Sequence, residues 1–350
     1  MALTDEDLGL KLKVSALLRR LQYSVFQEVD LCTYSYQPKY ARRQVTDFDV
    51  LGVRVEADFS ALVAVAECKS AEEQAMLNLL KLNGVKEFFH ADKAYFVQRR
   101  IDLNAREIGR DLGIWVLDES NLEALMHGVG VSEREVETEI AVYKAKDKAL
   151  RRQKRDLAKL TDYLKYDFWT LPEHRNIINI IRLATKASSF LDSADRSHVA
   201  WAHQVATNLG LAIVRYAGEI VRHNISDIKD GGLTRLLGGP RERRDREVLF
   251  DNVTRVVPES GLTVTPPFFE ALIQVVARLI NASHAAAGVV NCLDHLTRRT
   301  LSERVDEING TAAEIYGDHT LKLSRDIVLF LTAASGLTAA LFEKSLVERQ

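Results

Sequence analysis

The chain has 350 residues, 47% hydrophobic and 27% charged, the balance of an ordinary globular protein, which excludes disordered, collagen-like and disulfide-scaffold readings. Lys plus Arg (47) nearly balances Asp plus Glu (49) for a formal charge of −2, so a basic nucleic-acid coat is excluded and any such contact must rest on local clusters. Cys32, Cys68 and Cys292 are scattered without metal-ligand spacing, and the opening MALTDEDLG carries no basic and apolar leader, so a cytoplasmic setting is expected.

Thr4-x-x-Asp7 resembles a capping box opening a helix whose apolar face is Leu10, Val14, Leu17, Leu18 and Leu21. Three β-like runs follow, Val25 to Tyr34, Val45 to Val55 and Ala61 to Lys69. A helix is expected over 71–89, with Met76, Leu79, Leu80, Leu82, Val85, Phe88 and Phe89 at helical spacing. Then come a strand over 94–97, a helix over 103–112, the strand GIWVL at 113–117 and a final turn capped by Ser120. The first three strands form a meander, and the later two arrive through helices and run parallel, which predicts a mixed sheet with helices on both faces.

From Ser132-x-x-Glu135 a charged segment without a breaker runs to Tyr166 and reads as one long helix carrying half a heptad seam. After Pro172 the periodicity is helical throughout, as over 177–183, 199–221, 268–280 and 327–346. The uncharged run Ile327 to Phe342 is broken by Thr332, Ser335, Gly336 and Thr338 and falls short of the ~20 apolar residues of a span, so it reads as a buried helix with no membrane partner. Asp227 to Pro240, followed by the basic Arg241 to Arg246, reads as a mobile glycine-rich loop with Arg243 and Arg244 as candidate phosphate contacts. The domain plan is an α/β domain over 1–128, a charged connecting helix over 129–168 and an all-helical domain over 169–350.

The chemistry concentrates in residues 45–70. Pairing the two apolar runs as an antiparallel hairpin that reverses near Ala57 to Phe59 sets Asp49 across from Glu67 and Asp47 across from Lys69. All four are odd-numbered, so all four are expected on one sheet face, which is otherwise apolar. Opposed carboxylates repel unless a cation compensates, and oxygen-only donors suit Mg²⁺ or Mn²⁺. With Lys69 beside them these are the parts of a metal-assisted phosphodiester hydrolase.

Asp49 in D-V-L-G and Glu67-Cys68-Lys69 at the end of the next strand resemble the PD-(D/E)XK nuclease superfamily, with its restriction-endonuclease-like fold. The resemblance covers about Leu8 to Met126. It implies Asp49 and Glu67 as metal ligands and Lys69 as the catalytic lysine. Glu28 matches the place of an additional acidic ligand, and Asp47 is a further ligand or a partner of Lys69. Arg42, Arg43, Arg99 and Arg100 flank the motif strands as candidate nucleic-acid contacts.

The function expected is a Mg²⁺-dependent DNA endonuclease in bacterial restriction or anti-phage defence, controlled by a protein partner or by dimerisation through the helical domain. One alternative is a non-catalytic DNA-binding or assembly module. Another is RNA cleavage by the helical domain through Arg196, His198, His203, Arg222 and His223. Trp169 and Trp201 are expected to anchor the helical core.

Overall fold

The protein is described here by a computed structural model covering residues 5–35, 41–70, 74–151, 155–223, 227–256, 264–301 and 311–343. The order in the first third is α1 (Asp5–Arg20), β1 (Ser24–Ser35), β2 (Ala41–Val55), β3 (Ala61–Lys69), α2 (Ala75–Phe89), β4 (Lys93–Gln98), α3 (Leu103–Asp111), β5 (Trp115–Asp118) and α4 (Glu119–Gly128). The strands lie in the order β1-β2-β3-β4-β5. β1, β2 and β3 pair antiparallel, and β3, β4 and β5 pair parallel, because each of the last two strands returns through a helix. Thr4 of the expected capping box lies outside the described residues. The cap of α4 is Asp118 rather than Ser120: its carboxylate accepts from Asn121 N–H at 2.8 Å and from the Ser120 hydroxyl.

Strand alternation builds two apolar layers. Val50, Ala64, Ala66, Cys68, Tyr95 and Val97 face α1 and α4, while Leu51, Val53, Val65, Ala94 and Phe96 face α2 and α3. The second layer runs without interruption into the core of the helical region. Of the seven apolar positions assigned to α2, Met76, Leu80 and Phe88 are exposed, since the inner face needs only Leu79, Leu82 and their partly buried neighbours.

The remaining helices are α5 (Glu133–Arg151), α6 (Arg155–Asp162), α7 (Glu173–Ala187), α8 (Arg196–Arg222), α9 (Ile228–Leu236), α10 (Pro240–Val256), α11 (Phe269–Asn281), α12 (Ser283–Ala287), α13 (Val289–Leu301), α14 (Ala312–Tyr316) and α15 (Asp318–Ser335). The expected helix over 132–166 is helical on both sides of 152–154, which lie outside the described residues, as α5 and α6, and it closes in a π-helical turn, Tyr163–Asp167. The turn packs on β1, and Tyr163 there hydrogen-bonds Asn176 at 2.5 Å. Trp169 and Trp201 are core residues, as expected. No helix among the described residues is long and apolar enough to cross a membrane. The uncharged run ends its helix at Ser335, where Gly336 takes φ 72°.

The expected glycine-rich loop is two helices joined by a turn. Asp227 caps α9 by accepting from Lys229 and Asp230 N–H, and the Tyr216 hydroxyl donates to Gly232 O at 2.5 Å. Gly238 and Gly239, at φ 104° and 120°, make the reversal, and Pro240 opens α10.

Helix α1 is covered on both sides. Leu17 and Leu18 pack on the sheet, yet Leu12 and Ala16 are buried as well, because α5 lies across the outer face. Arg19 at its end is embedded in a charged network: its Nε lies 2.9 Å from Glu139 of α5, and Nη1 pairs with Asp294 of α13. Arg298 of α13 meets the same Glu139 at 2.5 Å.

Candidate functional site

The hairpin has the expected register for six pairs, from Val55–Ala61 to Val50–Ala66, and then the ladder stops. At that point Asp49 replaces the missing backbone partner: its Oδ2 accepts from Cys68 N–H at 2.6 Å. On the other side of β2, the pairs Gln27–Val50 and Val29–Phe48 flank a gap in which Glu28 adopts φ 53°. Such an irregularity shifts which residues face which layer. Val50 belongs to the α1 side, whereas Phe48, two residues away, belongs to the α2 side.

This shift regroups the expected site. Carboxylate oxygens of Glu28, Asp47 and Asp49 lie within 4.8 Å of one another. Glu67 and Lys69, at the end of β3, pair with each other, Nζ to Oε1, at 2.5 Å. The expected residues thus stand as a three-carboxylate group, Asp47 and Asp49 with Glu28, beside the Glu67–Lys69 pair. The two parts still feel each other. Burial, then repulsion from Asp49, pushes Glu67 up to about 7, against the pull of Lys69. Burial works against the Lys69 ammonium, but Glu67 outweighs it and raises the lysine's pKa.

Helix α1 supplies a residue that sequence reasoning missed. Lys11 Nζ sits 2.7 Å from both Glu28 Oε1 and Asp49 Oδ1. Lys11 is 6% and Asp49 3% exposed, so this is a buried ion pair. Burial opposes the ammonium, yet Asp49 and Glu28 hold its pKa above the ordinary lysine range. The spacing Lys11, Ser15, Leu18 along the inward stripe of α1 is the sequence signal for it. Asp30, across from Asp47, is a second missed acid and is held by Lys165 at 2.8 Å. The buried Gln98 pairs in register with Lys69 at the end of β4.

Chemically, three hard oxygen donors this close suit a small divalent cation. Mg²⁺ with oxygens at about 2.1 Å spaces its ligands about 3–4 Å apart, within reach of the present group. Glu28, Asp47 and Asp49 would hold it, with the single charge of Lys11 shared between Glu28 and Asp49 and two of the three negative charges left for a cation. The ends of the parallel strands β3 and β4, where ligands of such sheets bind, open on a neighbouring cleft of about 240 Å³ lined by Gly9, Leu10, Lys13, Ser70, Arg99 and Glu119.

The other candidate contacts disperse. Arg99 and Arg100 are exposed just past β4. Arg43 is exposed on β2, and Arg42 lies over the Tyr166 ring at 4.0 Å and pairs with Asp167 at 3.6 Å. Arg243 is engaged within its own helix pair, 2.7 Å from Asp230 and 2.8 Å from Glu247, and Arg244 is exposed on α10. Burial drops His203 to about 4, and its ring packs on Phe342. His198 Nδ1 accepts from Asp192 N–H, and His223 shares Glu219 with Arg222.

Compared with known proteins, the chain matches no family model, no curated protein and no solved structure.

Proposed function

We propose that the protein is a Mg²⁺- or Mn²⁺-dependent DNA endonuclease, with Glu28, Asp47 and Asp49 as the metal-holding group. The observation that carries this is the convergence of those three carboxylates where β2 parts from β3, with Glu67 and Lys69 alongside. A bound divalent ion would polarise the phosphoryl oxygen and acidify water. Lys69, only partly buried, orients the attacking water and offsets charge that develops on the phosphate. Glu67 fixes the Lys69 ammonium and, with its pKa lifted by burial and Asp49, is suited to exchange a proton near neutral pH. Arg99, at the adjacent cleft, takes the backbone phosphate. A place in restriction or anti-phage defence follows from the family resemblance alone, as does control by a protein partner or a second copy.

A second reading, a non-catalytic DNA-binding or assembly module, is favoured by Lys11, whose ammonium pairs with both Glu28 and Asp49 and offsets one of their two charges. One experiment separates the two. Purified protein is incubated with supercoiled plasmid, linear DNA and RNA, with Mg²⁺, Mn²⁺ or EDTA, beside Asp49→Asn and Lys69→Ala. Metal-dependent DNA cleavage lost in both variants supports the nuclease. Plasmid left intact by folded wild type, with no calorimetric binding of Mn²⁺, supports the module.

A further inference from the structure

A cavity of about 290 Å³ lies between β1 and the helices α5, α6, α8 and α13. Its chemistry is uneven. Trp169 and Trp201 supply aromatic walls, with Phe26 and Tyr143 beside them. Trp201 Nε1 donates to Thr161 Oγ1 at 3.2 Å, and Trp169 is held edge-on by Phe26 and Phe168 at 4.7 and 4.9 Å, so both indoles are fixed before any ligand arrives. Gln204 and Asn208 stand one turn apart on α8, with Gln204 Nε2 donating to Asn208 Oδ1 at 2.8 Å.

The charges of the lining do not cancel. Lys165 is paired with Asp30 at 2.8 Å, and Glu28 with Lys11 at 2.7 Å. Lys146 of α5 also lines the cavity, and among the described residues its amine makes no hydrogen bond or ion pair. Burial lowers its pKa; Asp294 opposes that, but Asp294 is engaged by Arg19, whose own charge adds to the depression. An unpaired ammonium in such a place is costly until an anion meets it.

We propose that this cavity is a binding site for a free nucleoside monophosphate: the base stacks against the indoles of Trp169 and Trp201, Gln204 and Asn208 read its edge, and Lys146 takes the phosphate. Stacking on aromatic side chains and pairing of amides with base edges are the interactions that nucleotides offer. The volume is at the small end of ligand sites, which run about 300–1,000 Å³, and suits one nucleotide rather than two. Glu28 belongs both to this lining and to the carboxylate group, so the occupant would lie one side chain away from the candidate active site.

The test needs no cleavage and is therefore independent of the nuclease reading. Full-length protein in EDTA is titrated with AMP, GMP, CMP and UMP, following tryptophan fluorescence and calorimetry, beside adenosine and ribose 5-phosphate. At least one monophosphate is expected to bind with at least tenfold higher affinity than either fragment. Lys146→Met, which removes an unpaired charge and should fold, is expected to weaken binding at least tenfold, and Gln204→Leu to change the preference among bases. Saturation by none of the four at 5 mM, equal binding of adenosine, or binding unchanged in a folded Lys146→Met protein overturns the proposal.

Discussion

Replacing Lys11 by Met tests the electrostatics of the carboxylate group directly. The substitution keeps the side chain's length and removes the charge that lies 2.7 Å from both Glu28 and Asp49. Removing one partner of a buried pair costs about 3–5 kcal/mol, because the other charge is left uncompensated. Asp49 retains its bond from Cys68 N–H, which places the expected loss at the lower end. Unfolding entropy of about 2.1 cal/mol/K per residue, over 350 residues, converts that range to a Tm drop of about 4–7 °C. The assay is thermal melting in EDTA, with Lys13→Met as the control. Lys13 pairs with Glu119 and Glu123, 40% and 59% exposed, and its loss should cost under about 1 kcal/mol. Adding 5 mM Mg²⁺ should raise the Tm of Lys11→Met more than that of wild type, since no ammonium then competes for the oxygens. A Lys11→Met protein within 1 °C of wild type in EDTA refutes the claim that this ammonium balances the group.

Three further outcomes are expected. Gly218 of α8 sits against the hairpin turn, where an added Cβ would stand 2.9 Å from Phe59 Cβ and 3.1 Å from its backbone oxygen, so Gly218→Val should lose about 1–3 kcal/mol by overpacking; an unchanged melt counts against that close approach. His203, depressed to about 4 from an ordinary 6.5, contributes stability above pH 6.5 that is lost as pH falls through 4, a loss of up to about 3 kcal/mol. His203→Leu should flatten that acid limb in melts from pH 7 to 4, and an unaltered slope would contradict it. Glu67 has the opposite sign: with its pKa raised to about 7, wild type is favoured below pH 4.5 and loses stability as pH rises through 7. Glu67→Gln without divalent cation should therefore gain on wild type between pH 5 and pH 8, and no relative gain over that interval would show that Glu67 ionises without cost.

The strand order and hairpin register were legible because they follow from local rules: alternation in 50–55 and 61–66 and a short reversal leave one pairing that buries Leu51, Val53 and Val65 together. The distribution of the acids was not, because it depends on Glu28, a residue with no local preference for positive φ, being held at φ 53° by the surrounding sheet. Lys11 escaped notice for a related reason. A one-sided reading of α1 assigns one face to the core and the rest to water, but α5 covers the outer face and leaves almost no position of its second half solvated. The run Asp227 to Arg246 misled through composition: paired glycines suggested a loop, whereas Asp227, the Tyr216 hydroxyl and Pro240 supply the caps and contacts that make helices there.

The position of α1 between sheet and helices bears on modularity. One helix carries Lys11 into the acidic group, Leu17 and Leu18 into the sheet, and Arg19 into the Glu139 and Asp294 network. A sheet recombined with a foreign helical partner would inherit Arg19 without its acids and expose Leu12 and Ala16. Exchange of whole segments between lineages is thereby penalised, and the two regions are constrained to diverge together.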